Sequence, residues 1–510
     1  MNVAKLYNPW FLSLILFFSL LIWLKLAKGK KLSLPPSPPK LPIIGNIHQL
    51  GKLPHRSLRD LSRKYGSLML LQLGQNPILV VSSADSVKEM VKNHDIVFLN
   101  KPSTTAAEIL FYGCKDVGFA PYGEYWRQVR KICVLELLSL RRVHSFQFVR
   151  EEEVDVLVDK IRGAAVNGDA INLTETAMAI SSNIVSRCVL SRKAEEEDGS
   201  RSKFGQLARR VMVLFTSLCI GDMFPYLKWL DMVTGYIQRL KTTFGELDAF
   251  FDQVIEEHRA LQAQDDVADK RDFISIILQL QKDGMVEIHL HQDNIKAILL
   301  DMFTGGTDTT STTTEWVMAE LLKHPNVMKK VQKEVRNVVG KKPKVDMNDI
   351  NQMEYLKCVI KETLRLHPAV AFMVRRGTSE SIKLEGYDIP PNTTVFINVW
   401  AIQRDPKWWD KPKEFFPERF ENSTVDFKGQ DFQFIPFGCG KRNCPGMAFE
   451  VVSVEYLIAN LLFWFDWRLP DGENAENLDM NEVYGLTVNR KFPLQVLPIS
   501  DSSFLCNQRM

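Results

Sequence analysis

Apolar residues recur every three to four positions over 124–140, 146–162, 204–218, 233–262, 292–323, 325–339 and 353–366. That period predicts a succession of helices with one face or more turned to a core. Residues 56–65 read as one further short amphipathic helix. A two-residue period appears in only two places. SLMLLQLG and PILVVSS flank Gln75-Asn76, which predicts a hairpin with Gly74 and Pro77 at the turn. IKLEGYDIPPNTTVFINVWA, residues 382–401, is the second strand-rich stretch. The expected class is mainly α with a small β component.

One apolar run does not oscillate at all. Leu6 to Leu24, LYNPWFLSLILFFSLLIWL, carries no charge and has the length of a membrane span. Lys25, Lys28, Lys30 and Lys31 follow it, against Lys5 alone before it, so the positive-inside rule places the N-terminus in the lumen and the rest in the cytosol. A cleaved signal peptide has a shorter core and a small-residue cleavage site, so a retained anchor fits better. LPPSPPKLPIIGN, residues 34–46, holds five prolines and predicts a stiff extended spacer. The expected organisation is a lumenal 1–5, an anchor over 6–24, a basic stop and proline-rich hinge over 25–46, and one cytosolic domain over 47–510.

Composition narrows the partners. A net charge of +3 on 510 residues, with no basic run at groove-reading spacing, excludes a nucleic-acid partner. The eight cysteines face a reducing compartment and are expected to stay thiols.

Two of those thiols sit in FIPFGCGKRNCPG, residues 434–446. Cys444 is followed by Pro445-Gly446 and then by the apolar helical pattern MAFEVVSVEYLIANLLFWF, which puts it at a helix start. Free N–H groups and the helix dipole there favour a thiolate, and the surrounding glycines let amides approach the sulfur. Such a sulfur suits an axial metal ligand, whereas Cys439 lacks the helix behind it and reads as a packing thiol. Zinc needs four ligands and an iron–sulfur cluster several cysteines, and no suitable cluster of cysteine or histidine is near. One thiolate suffices for haem.

Phe437, Gly440, Arg442, Cys444 and Gly446 match F-x-x-G-x-R-x-C-x-G, and in this the chain resembles the cytochrome P450 family. Other segments strengthen the resemblance. DMFTGGTDTTSTTTEW carries Gly305, Asp308 and Thr309 in the order of the family's [AG]-G-x-[DE]-T motif. Adjacent glycines inside a helix cost roughly 1 kcal/mol each relative to alanine, so close approach of a flat cofactor is the reason expected for them. Glu362 and Arg365 in KETLRLHP, with Arg419 in PERF, resemble the family's buried structural triad. Trp126 and Arg130 match W-x-x-x-R and, with Arg376 and Arg442, form the set expected to meet the two haem propionates. Arg375 competes with Arg376 for that role, because HPAVAFMVRRGTSE departs from the pattern usual in related plant enzymes.

The resemblance spans the chain and implies the P450 fold preceded by one transmembrane helix, haem b held by Cys444, and membership of the plant microsomal group that oxidises specialised metabolites. It implies a monooxygenase of the endoplasmic reticulum membrane that takes electrons from NADPH-cytochrome reductase, with cytochrome b5 as a second donor. O2 and a small lipophilic substrate complete the reaction, with a terpenoid ahead of phenolics, coumarins and alkaloids. Asp308 and Thr309 are the expected proton relay. The pocket is expected along 103–119, 211–220, 301–309, 369–374 and 484–488, with Phe111, Val370, Phe372 and Leu486 in its lining. The alternatives are a redox-neutral isomerase or dehydratase of the same fold and a non-catalytic haem-binding membrane protein. No flavin or dinucleotide fingerprint is present in the sequence, so electrons must come from a partner.

Overall fold

A computed structural model describes residues 13–20, 32–195, 201–262, 272–284, 287–470 and 474–500. Of the expected anchor, residues 13–20 form a helix with Leu14, Ile15, Leu16, Phe17 and Phe18 exposed; the remainder of 6–24 lies outside the described residues, as do 1–5 and the lysines at 25–31. Among the described residues, the one straight helix apolar and long enough to cross a membrane is Met447–Trp464. It is mostly buried inside the fold and is a core helix.

The 32-residue helix Gln292–Lys323 is the axis of the molecule, with Ile295, Leu299, Phe303, Trp316 and Leu321 buried on different faces. Leu173–Leu190 runs along it, Met447–Trp464 crosses it, and Gln147–Asn167 packs against both of those helices. Helix Leu173–Leu190 is absent from the periodic segments read from the sequence because it is buried on most sides, with Ser181, Ser182 and Ser186 among its buried positions, and so shows no apolar stripe. Gly306 explains part of its fit. A Cβ there would lie 3.1 Å from Val185 Cγ2, so the glycine allows the two helices to close together. Gly305 faces open space instead. The two glycines therefore have different tasks, where the sequence suggested one.

Four strands make the largest sheet, in the order Leu68–Leu73, Asn76–Val81, Thr394–Ile397, Arg376–Gly377. The first pair is antiparallel, with Leu73 opposite Asn76, so the turn is Gly74-Gln75 and Asn76 already belongs to the second strand. Gly74 supplies the positive φ of +60° that this turn needs. The expected hinge is not a free spacer. Leu70 N–H donates to Pro36 O (2.9 Å), and Asn46 N–H donates to Gln72 O (2.6 Å), so residues 36–46 lie along the outer edge of the first strand. An edge strand's unpaired N–H and C=O groups account for that docking.

The helix expected over 233–262 breaks at Gly235 (φ +73°) into Lys228–Val233 and Tyr236–Gln262. The helix expected over 124–140 is regular over Glu124–Lys131 and widens into a π-type turn over Ile132–Leu137.

Candidate haem site

The cysteine loop is pinned before the helix behind it begins. Cys444 N–H donates to Phe437 O (2.9 Å), folding the loop back on itself. Gly440 takes φ +71°, and a Cβ there would come within 2.7 Å of Asp95 Oδ1, so the loop closes only with glycine. Cys439 is fully buried in an apolar cluster with Ile435 and Phe98, and burial pushes its thiol up to about 11. Cys444 is half-buried at the start of Met447–Trp464, with Gly446 and Met447 amides directed at its sulfur. Burial nonetheless pushes its thiol up to about 12, with Glu450's charge adding to the rise. The amides alone do not make a thiolate; a metal cation at the sulfur does.

Around the loop the structure gathers four cations. Arg442 donates to Leu99 O (3.0 Å), Val117 O (3.1 Å) and Ala120 O (2.6 Å), with its guanidinium stacked 4.1 Å from the Trp126 ring. Trp126 Nε1–H donates to Val117 O (3.1 Å), and Arg130 bonds the carbonyl and side chain of Asn443. Arg376, 1% exposed, donates to Cys439 O (2.6 Å) and pairs with Asp95 (3.3 Å), while Arg375 is exposed beside Phe396. Arg376 is thus the arginine directed at the cysteine loop. The fourth cation, Lys101, has no spacing signal in the sequence. Burial, then the charges of Arg376 and Arg442, hold its ammonium well below the usual lysine range.

Glu362, Arg365 and Arg419 meet behind the loop. Arg365 donates from Nε to Glu362 Oε2 (2.7 Å) and from Nη2 to Oε1 (2.9 Å), and Arg419 Nε donates to Oε1 (3.0 Å). Arg365 also holds the carbonyls of Gln403, Pro412 and Glu414 at 3.0, 2.8 and 3.1 Å.

Asp308 and Thr309 point to different partners. Thr487 Oγ1 donates to Asp308 Oδ2 (2.6 Å), and burial raises that carboxyl. Thr309 Oγ1 donates to Gly305 O (2.8 Å). One turn on, Thr313 Oγ1 donates to Glu450 Oε1 (2.9 Å), a buried carboxyl that Thr309 also reaches and that burial pushes up to about 7. Glu450 carries no motif signature and was not anticipated. Of the expected pocket residues, Val370 and Leu486 flank a contact, Val488 N–H to Ala369 O (2.8 Å), that joins their two segments beside Asp308. Phe111 packs with Phe119 and Phe215 at 5.8 and 5.6 Å. Phe372 is not brought to them: it fills the apolar face of the hairpin with Met69, Leu71 and Ile78, where a ring is needed to cover the sheet.

The residues present fit haem. Among the described residues no three histidines, cysteines or acids converge to hold a metal by themselves, so a metal at the Cys444 loop would need most of its ligands from a bound group such as a porphyrin. Four cations with few counter-charges, and a buried Arg376 Nε without an acceptor among the described residues, suit the two carboxylates that haem carries. The sequence profile of the cytochrome P450 family matches residues 35–496. The chain is a cytochrome P450.

This P450 is 54% identical over 92% of its length to a phenylacetaldehyde oxime monooxygenase of Prunus mume, covering 90% of that protein. It is 47% identical to the desmethylyatein synthase of Sinopodophyllum hexandrum, over 96% of this chain and 98% of that one. It is also 47% identical to the strychnine-11-hydroxylase of Strychnos nux-vomica, with 94% of both chains covered. A zebrafish cytochrome P450 solved with abiraterone shares the fold at a TM-score of 0.74 and 24% identity, over 89% of this chain and all of that one. The P450 is of the plant type, a haem protein and a monooxygenase by family.

Proposed function

We propose that this P450 oxidises a small, ring-bearing lipophilic specialised metabolite, with Cys444 as the residue that would hold the haem iron. The observation that carries this reading is the pinned Cys444 loop encircled by Lys101, Arg130, Arg376 and Arg442. Bound haem supplies activation of O2 at its iron, favoured by a thiolate ligand. The chain's own residues do the rest. Arg376, Arg130 and Lys101 hold the haem carboxylates. Arg442 ties the cysteine loop to residues 117–120 and adds positive charge beside them. Asp308, whose carboxyl burial raises, and Thr309 pass protons into the site, with Glu450 and Thr313 as a second acid–alcohol pair behind them. The expected Asp308 and Thr309 relay argues against the redox-neutral and non-catalytic alternatives.

Phe111, Phe119 and Phe215 offer an aromatic wall to the substrate. That wall, and relatives named for a phenylacetaldehyde oxime and for strychnine, put an aromatic or alkaloid substrate ahead of the terpenoid expected from the sequence. Electrons arrive from NADPH-cytochrome reductase at an open groove of about 630 Å³ lined by Arg127, Arg130, Lys131, Lys441 and Asn443, next to the cysteine loop. Its basic rim suits an acidic donor. Membrane attachment at the endoplasmic reticulum through 6–24 is supported by that uncharged run. A second support is an exposed apolar surface, Ile43, Tyr226, Trp229 and Met232, to either side of the turn at Gly74, where Gln75 N–H donates to Met223 O.

The test is turnover of aromatic oximes, alkaloids and terpenoids by the full-length protein with reductase and NADPH, alongside the carbon monoxide difference spectrum. Lys131→Glu with Lys441→Glu should lower reductase-supported turnover roughly tenfold or more at low salt. The dithionite-reduced spectrum, which needs no protein donor, should be unchanged. Equal turnover in the double variant would rule out the groove as the electron-entry face.

A further inference from the structure

Two acids distant in sequence, Asp116 and Asp301, converge beneath the amide of Gly118. Val117 N–H donates to Asp301 Oδ2 (2.6 Å), and Phe119 N–H donates to Asp116 Oδ2 (2.8 Å). A Cβ on Gly118 would lie 3.0 Å from Asp116 Oδ2 and 3.5 Å from Asp301 Oδ1, so both carboxyls crowd that one glycine, and their side chains are within hydrogen-bond reach of each other. Asp116 is fully buried, and its Oδ1 has no N–H or O–H donor among the described residues. A buried acceptor without a donor is costly, and two adjacent buried carboxylates repel. One proton between them removes both costs.

The pair stands one residue from the cysteine loop's anchorage. Val117 gives its N–H to Asp301 and its C=O to both Trp126 and Arg442, and Ala120 O takes the other arm of Arg442. The same loop is tied to the central helix by Lys115–Asp293 (2.7 Å) and by Tyr125, which donates to Lys115 O and accepts from Asn294 (3.0 Å).

We propose that Asp116 and Asp301 share one proton, and that the protonated pair is a positioning device that holds residues 116–120 in place and thereby orients Arg442 and the cysteine loop. It rests on the reading of that loop as the haem site. Burial pushes Asp116 up to about 6 and, with Asp116's charge added, holds Asp301 well above the ordinary carboxyl range. The ionisable groups facing the pair are Lys101 and Arg442, which favour ionisation, and Cys114, Tyr125 and Cys133, which burial keeps neutral. Both carboxyls have raised values in the folded protein. Their contribution to stability is therefore complete below the ordinary carboxyl range, about pH 4, and is lost as pH rises through about 6 and beyond.

Asp301→Asn separates this from a plain packing role, because its amide still donates to Asp116 and its oxygen still accepts from Val117. In the full-length haem-loaded protein, the wild type should lose roughly 2–5 °C of apparent melting temperature between about pH 6 and about pH 9. Asp301→Asn should lose less than half of that and overtake the wild type at the alkaline end. Asp116→Asn should flatten the profile likewise, since its amide lets Asp301 ionise. The infrared carbonyl band of a protonated carboxyl near neutral pH should weaken in Asp301→Asn. Equal pH slopes in wild type and Asp301→Asn, or an Asp301→Asn protein that cannot hold haem, would overturn the proposal. A wild type lacking the thiolate-haem spectrum would instead overturn the reading of the haem site.

Discussion

Cys444→Ser should abolish the strongly red-shifted carbon monoxide band, while Cys439→Ser should leave it nearly intact. The two thiols are five positions apart in one loop, and their surroundings decide the difference. Cys439 is sealed among Ile435, Phe98 and Val97, with burial raising its thiol, so it is a small apolar side chain that a serine replaces at a modest packing cost. Cys444 stands at the helix start with two amides on its sulfur, yet burial keeps it protonated until a cation arrives. A serine hydroxyl there is harder still to ionise and lacks the soft donor atom. The measurement is the reduced difference spectrum of both variants at equal protein, with haem content determined separately. Similar spectra from the two variants would sink the assignment of Cys444 as the ligand.

Arg365→Ala should cost about 3–5 kcal/mol, the range for removing one partner of a buried ion pair. Arg365 and Glu362 are both fully buried, so the change strips an ion pair and leaves the carbonyls of Gln403, Pro412 and Glu414 without their donor. Net stabilities of folded domains are about 5–15 kcal/mol, so little folded protein should accumulate. Arg365→Lys should rescue only partly, because one ammonium cannot serve a carboxylate and three separated carbonyls at once. Thermal unfolding and the yield of haem-loaded protein report the difference. A lysine variant as stable as the wild type would show that the fork geometry is irrelevant and the charge alone sufficient.

What the sequence disclosed follows from how local each signal is. Glu362 and Arg365 share a helix face three residues apart, so spacing alone joins them. The boundaries of Gln292–Lys323 and Pro325–Val339 were legible because His324-Pro325 breaks a long apolar pattern. Helix Leu173–Leu190 was illegible because burial on nearly every side erases periodicity. Lys101 and Glu450 were missed for another reason. A lone lysine in a loop and a lone glutamate on an apolar helix become chemistry only when distant segments surround them, as Arg376 and Arg442 surround Lys101 and as Thr313 meets Glu450. Asp116 and Asp301, 185 positions apart in the chain, belong to the same class.

The proline-rich strap has a practical meaning for where this chain tolerates cutting. Residues 36–46 cover the outer edge of strand Leu68–Leu73, with Pro36 and Asn46 taking up its free backbone groups. A chain begun near residue 32 keeps that cover, whereas one begun at residue 47 leaves a bare apolar edge open to strand pairing with another molecule. The shorter chain should aggregate on expression while the longer stays dispersed, a difference that size-exclusion chromatography reads directly.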